Sequence, residues 1–150
     1  MANAHAVMHI HYTFSTKNRE KVLNEEIRKR LWPYMTSIAN ENGMKALAVG
    51  GVEDHAHVLI SLPARLSPAR AIQIIKTGSS RWIRATFPGM KTFHWQDGYG
   101  AFSISKSRVD RTIEYIDNQE EHHHVKTFKE EYLDFLRANG VAPEEPFIWG

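Results

Sequence analysis

Hydrophobic positions along the chain switch between a repeat of two and a repeat of three or four, and each switch predicts an element boundary. Val7 to Ser15 (VMHIHYTFS) is rich in β-branched and aromatic residues and predicts a strand. Asn24 to Asn42 predicts a helix: Asn24 can cap it, Glu25 and Glu26 fill its first turn, and Gly43 follows as a stop. Pro33 within it predicts a kink or a break. Lys45 to Val52 and His55 to Leu62 read as strands joined tightly around Glu53-Asp54. Ser67-Pro68 opens a second helix that runs to about Phe87 and ends at Pro88-Gly89. Lys91 to Gly98 is an irregular loop and Tyr99 to Ser105 a last strand. Ser107 with Asp110 predicts a capping box for a helix from Arg108 to about His122. Phe128 to Ala138 is a final helix before a Pro-rich tail. The order β-α-β-β-α-β-α predicts an α+β fold, an antiparallel sheet with helices packed on it in the ferredoxin-like, RRM-like manner.

With 150 residues, 42% of them hydrophobic, and no repeat or linker, the chain is expected to be one compact domain with a core. Cysteine is absent, which removes disulfides and thiolate metal sites and suits a reducing cytoplasm. Met1 to Lys17 has neither the form of a signal peptide nor that of a membrane span, so no membrane partner is expected. A net charge of +2 permits nucleic acid as a partner without demanding it.

The candidate chemistry lies in two places. On the His55 strand, Ala56, Val58, Ile60 and Leu62 alternate onto one apolar face, which leaves His55, His57, Leu59 and Ser61 on the other. Histidines spaced i, i+2 on a strand point to one side and can hold one metal ion. An isolated His-x-His is a weak signal, and a structural role is its commoner explanation. His9-Ile10-His11 repeats the spacing and is read as structural or as support for another group. His122-His123-His124 is assigned to a helix end, where imidazolium suits the dipole. On the second candidate, the helix after Arg108, Val109, Ile113 and Ile116 form the apolar stripe, and Asp110, Glu114, Asp117 and Glu121 the solvent side. Tyr115 and Gln119, spaced i, i+4, share a third strip with Arg108 and His122. A tyrosine at the core border beside a solvated glutamine is the plain alternative. Together the two pairs suit a metal-assisted phosphodiester-cleaving site that attaches DNA to tyrosine.

Five blocks in order carry a resemblance over nearly the whole chain: Thr16-Lys17-Asn18-Arg19, Asp54-His55-Ala56-His57-Val58-Leu59, Ile75-Lys76-Thr77-Gly78-Ser79-Ser80-Arg81, Trp95-Gln96-Asp97-Gly98-Tyr99 and Tyr115-Ile116-Asp117-Asn118-Gln119. In these the chain resembles the single-tyrosine HUH transposases, the TnpA-like enzymes of the smallest bacterial insertion sequences, to which the transposases associated with palindromic chromosomal repeats are related. The resemblance implies His55, His57 and Gln119 as metal ligands and Tyr115 as nucleophile. It further implies a dimer with joined sheets whose tyrosine helices act in trans. The implied substrate is single-stranded DNA with hairpins, cleaved to a 5′-phosphotyrosine and a free 3′-OH. The metal would be Mg²⁺ or Mn²⁺, with histidine ligation favouring tighter binding of manganese.

Basic residues interleaved with aromatics suggest where DNA would lie: Lys76, Arg81 and Arg84 on the second helix, then Lys91, His94, Trp95 and Tyr99 on the loop. Trp82 and Trp95 are open to an equal reading as core. Arg108 is a phosphate-contact candidate from the helical wheel. The acids Glu120, Glu121, Glu130, Glu131, Glu144 and Glu145 are expected to form a solvated surface without chemistry. Three other classes compete. A histidine-triad hydrolase needs a third alternating histidine where Leu59 stands. Replication or conjugation initiators are normally longer. A non-catalytic nucleic-acid-binding module on the same scaffold is the remaining alternative to the transposase.

Overall fold

The computed structural model describes residues 5–122 and 126–141, without the side chain of His122. His123, His124, Glu144, Glu145 and the Pro-rich tail lie outside the described residues. Four strands, β1 (His9–Ser15), β2 (Lys45–Val52), β3 (His55–Ser61) and β4 (Gly100–Ile104), form one sheet in the order β2-β3-β1-β4, with every neighbour antiparallel. Between them run α1 (Glu25–Glu41) and α2 (Pro68–Thr86); after β4 come α3 (Val109–Asp117), α4 (Gln119–His122) and α5 (Phe128–Ala138). This is the expected ferredoxin-like connection.

Local chemistry starts the first two helices as anticipated. The Asn24 side chain accepts from Ile27 N at 2.9 Å and the Ser67 hydroxyl from Arg70 N at 3.0 Å. Pro33 breaks nothing. It lies on the exposed side of α1, while Ile27, Leu31, Met35 and Ile38 anchor the helix to the core on either side of it. Ser107, by contrast, is no cap. It sits in a 3-10 turn, Lys106–Arg108, and α3 starts at Val109 without a side-chain cap. The helix expected to reach His122 is also interrupted at Asn118 (φ −103°, ψ 23°), and the turn carries Gln119 inward.

The sheet is covered on both faces. Tyr12, Phe14, Ala56, Val58 and Ile60 meet Leu31, Met35, Ile72 and Ile75 of α1 and α2 in the main core. On the opposite face Ala48 and Leu59 pack against Ile116, and Phe102 packs against Phe128, Tyr132 and Leu136 of α5. The seating of α3 depends on Gly50 of β2. A Cβ there would stand 2.8 Å from the Ile116 carbonyl oxygen and 3.0 Å from its Cγ2.

Gly50→Ala should therefore lift α3 from the sheet and cost about 1–3 kcal/mol, the usual penalty of overpacking. The expected result is a thermal midpoint lower by several degrees. An unchanged midpoint would mean that α3 is not seated through Gly50.

Candidate active site

All the candidate reactive side chains stand on the sheet face turned away from α1 and α2. Strand alternation puts His55 and His57 there from β3, and His11 and Thr13 from β1, with Thr13 directly opposite His57. The two β3 histidines are off the main core, as anticipated, but not open to solvent: α3, α4 and α5 close over them and both are 0% exposed.

Each ring is aimed by a partner at its Nδ1. His55 Nδ1 lies 2.7 Å from Asp54 Oδ1, so that Nε2 faces Gln119 Oε1 at 3.2 Å. His57 Nδ1 lies 2.9 Å from His11 Nε2, so that its own Nε2 comes 2.9 Å from Glu131 Oε1. Partners of this kind fix the orientation and tautomer of metal-binding imidazoles. Burial, and then the neighbouring His57, pull His11 down to about 3, so it stays neutral and can accept from His57. Burial pulls His55 down too, but hydrogen bonds and charge from Asp54 and Glu131 outweigh it and raise the group to about 9.

Tyr115 enters from α3. Its hydroxyl donates to Glu131 Oε2, and its ring stands edge-on to His57 with centroids 5.7 Å apart. Burial, followed by the Glu131 carboxylate, pushes the phenol well above its usual range, so here it is a protonated donor. Gln119 Nε2 lies 3.4 Å from Glu131 Oε2 and 3.3 Å from the Tyr115 carbonyl. The four residues expected to converge, His55, His57, Tyr115 and Gln119, do so within one chain.

Glu131 is the residue missed. Expected on a solvated surface, it is 4% exposed and touches both histidines and the phenol. A signal was present. Phe128, Glu131 and Phe135 recur at i, i+3 and i+7, which places an acid within an aromatic stripe of α5. The Phe128 ring lies 4.8 Å from His55 and the Phe135 ring 5.1 Å from His11.

The arrangement fits a divalent ion. One ligand atom each from His55, His57 and Glu131 lie within 4.8 Å of one another, a mixed nitrogen–oxygen set of the kind such ions accept. On the same face the buried Thr13 hydroxyl has no hydrogen-bond partner among the described residues. An orphaned polar atom of this kind suits a bound water or ion.

The cationic residues separate into two places. Arg108 is exposed on the turn before α3 and lines, with Arg111, Tyr115, His11 and Phe135, a cleft of about 400 Å³ beside the phenol. Arg111, one helical turn beyond Arg108, was not anticipated. Lys76, Arg81 and Arg84 are on α2, across the sheet from the histidines. The half-buried Lys76 donates to the carbonyls of Gln96 at 2.7 Å and Gly98 at 2.9 Å, and burial lowers it to about 8. Arg84 donates to the Phe93 carbonyl at 3.1 Å, and Arg81 is exposed. Trp95 corrects the stacking expectation. It is buried against Phe14 and Phe93, and its Nε1 donates to Ser79 at 3.0 Å. Arg70, Lys76, His94, Asp97 and Tyr99 line a groove of about 610 Å³ on this side. Among the described residues no helix is long and apolar enough to cross a membrane.

This architecture is found in transposases. A crystal structure described as that of a transposase from Deinococcus radiodurans R1 matches with a TM-score of 0.64 at 24% identity, over 79% of this chain and 98% of that one. A REP-associated tyrosine transposase bound to a REP hairpin matches with a TM-score of 0.59 at 16% identity, over 82% of this chain and 74% of that one. The ISDra2 transposase TnpA of Deinococcus radiodurans is 24% identical over 114 residues, 73% of this chain and 81% of the relative. The family model "Transposase IS200 like" matches residues 4–119. The chain belongs to the IS200-like transposase family.

Two buried histidines contribute opposite limbs to the pH response of the metal-free protein. His55 is raised above its ordinary 6.5, so its contribution is complete below pH 6.5 and lost as pH climbs through about 9. His11 is depressed, so its contribution is present above pH 6.5 and declines as pH falls toward about 3. In EDTA the melting temperature should peak near pH 6.5, and Asp54→Asn should flatten the alkaline limb. A wild-type midpoint that rises steadily to pH 9 would contradict this account.

Proposed function

We propose that the protein is a transposase that cuts and rejoins single-stranded DNA at hairpin-marked ends, using Tyr115 as nucleophile beside a divalent ion. The observation that carries the reading is the convergence of Tyr115, His55, His57 and Gln119 at one buried point of the sheet. His55 and His57 would hold Mg²⁺ or Mn²⁺ through Nε2, with Gln119 Oε1 as a further ligand. When bound, the ion supplies positive charge that polarises the scissile phosphate.

The rest is work for the chain itself. A phenol raised above its normal range is a weak nucleophile, so Tyr115 stays inert until a phosphate and a cation share its site. Its oxygen then bonds to phosphorus, the bond from phosphorus to the 3′ oxygen breaks, and the phenol proton ends on that departing oxygen. The aryl phosphodiester retains a good leaving group, so another 3′-OH can reverse the step without a nucleotide cofactor. Arg108 and Arg111 in the cleft beside the phenol suit a phosphate flanking the scissile one. The α2 side, with Arg81, Arg84 and the Lys76 groove, suits the hairpin. Lys76 acts there mainly by fixing the loop 96–98, and Trp95 by supporting it from the core.

The assembled form proposed is a homodimer with joined sheets and tyrosine helices in trans. The single chain already closes its own site, so the exchange would remake between subunits the contacts that α3 to α5 make within one.

With Mn²⁺ and a labelled single-stranded oligonucleotide from the end of its own genomic element, the protein should give a slow protein–DNA band on a denaturing gel. The band should vanish with EDTA and with Tyr115→Phe, while Tyr115→Phe still binds the hairpin. Hairpin binding without any adduct would favour the non-catalytic module. A Tyr115→Phe protein that still forms the band would remove Tyr115 from its role. His57→Ala should abolish metal-dependent cleavage.

Arg81→Ala should weaken hairpin binding and reduce the slope of log affinity against log salt by about one. An unchanged slope would take Arg81 off the DNA.

A further inference from the structure

Glu131 lies twelve residues beyond the segment matched by the family model, which ends at 119. It is carried into the site by a helix that secures its own start. Thr127 and Glu130 cap α5 reciprocally, and Phe128, Tyr132 and Leu136 fix it against Phe102. Its two carboxylate oxygens do different things. Oε1 is 2.9 Å from His57 Nε2 and 3.5 Å from His55 Nε2, the nitrogens that face the metal position. Oε2 accepts from the Tyr115 hydroxyl and lies 3.4 Å from Gln119 Nε2. A buried carboxylate is costly unless its oxygens are occupied, and here both are.

We propose that Glu131 is a metal ligand and a positioning residue at once, with Oε1 on the ion and Oε2 holding the Tyr115 phenol beside it. The proposal rests on the metal-and-tyrosine reading above and adds a negative oxygen donor to its two imidazoles and amide. A site carrying that charge binds a divalent cation more tightly than two histidines and an amide. The split carboxylate also fixes the distance between ion and nucleophile, because a single planar group spans both. The competing arrangement is a plug: Glu131 neutralises His55 in the metal-free protein and must leave before an ion can enter.

The test uses the full chain and Mn²⁺ alone, titrated by electron paramagnetic resonance, in wild type, Glu131→Gln, Glu131→Asp and His57→Ala. Thermal melts in EDTA establish that each variant is folded. A ligand role predicts that Glu131→Gln weakens Mn²⁺ binding at least about tenfold. Glu131→Asp keeps the charge, so it should retain more of the affinity, but it is too short to reach both partners. The second measurement is the ring-carbon resonance of Tyr115 in ¹³C-tyrosine protein, assigned by its loss in Tyr115→Phe. It should move in both Glu131 variants, whereas simple charge compensation would leave it in place in Glu131→Asp.

Unchanged or tighter Mn²⁺ binding by Glu131→Gln, with binding still lost in His57→Ala, would overturn the ligand role and leave the histidine site standing. A Tyr115 resonance identical in wild type and both Glu131 variants would overturn the positioning role. If His57→Ala also binds Mn²⁺ like wild type, the metal reading itself fails, and this proposal fails with it.

Discussion

One face of the sheet is both polar and buried, and the rest of the structure is arranged to make that tolerable. Three imidazoles, a carboxylate and an amide lie under α3, α4 and α5 with almost no contact with water, and a half-buried phenol closes the group at the edge of a cleft. Leaving any one unpaired would cost about 1–3 kcal/mol. Each partner comes from a different part of the chain: Asp54 from the β2–β3 turn, His11 from β1, Gln119 from α4, Glu131 from α5. The network thus ties the late helices to the sheet, and the absence of one member would be felt by all the others. Thr13, whose hydroxyl alone stays unmatched among the described buried side chains, marks where the protein by itself does not complete the pattern.

Backbone features carry this cluster into position. Gly50 lets the α3 main chain rest directly on β2, so Tyr115 is placed by backbone contact and not by a flexible side chain. The interruption at Asn118 then allows Tyr115 and Gln119 to reach the same point from successive helices. The mutual cap between Thr127 and Glu130 fixes where α5 begins, and so which of its residues faces inward.

Much of this was legible in the sequence because the period of apolar residues is set by local geometry. The strands, both core helices and the segment Phe128 to Ala138 followed from alternation and caps, and the side of β3 that bears His55 and His57 followed from period two. What failed had non-local causes. Pro33 was tolerated because tertiary anchors flank it, and Ser107 lost its cap to a 3-10 turn. Glu131 looked like one acid among many, since its burial depends on meeting β3 from a distant helix. Trp95 was ambiguous for the same reason: an aromatic beside basic residues has one composition whether it stacks on a base or closes a core. Convergence of His55, His57, Tyr115 and Gln119 could be anticipated from two short patterns, each weak alone, together with the five ordered blocks that carry the family resemblance.

The separation along the chain between the site's members also has a meaning during synthesis. His57 and Glu131 are 74 positions apart, which at usual translation rates is on the order of 4 to 15 seconds of elongation. Throughout that interval the first strands can pair and the main core can close, while the histidine face waits bare for its cover. The pocket therefore closes only once α5 has followed the strands, and a chain that stops short of Glu131 lacks the assembled centre.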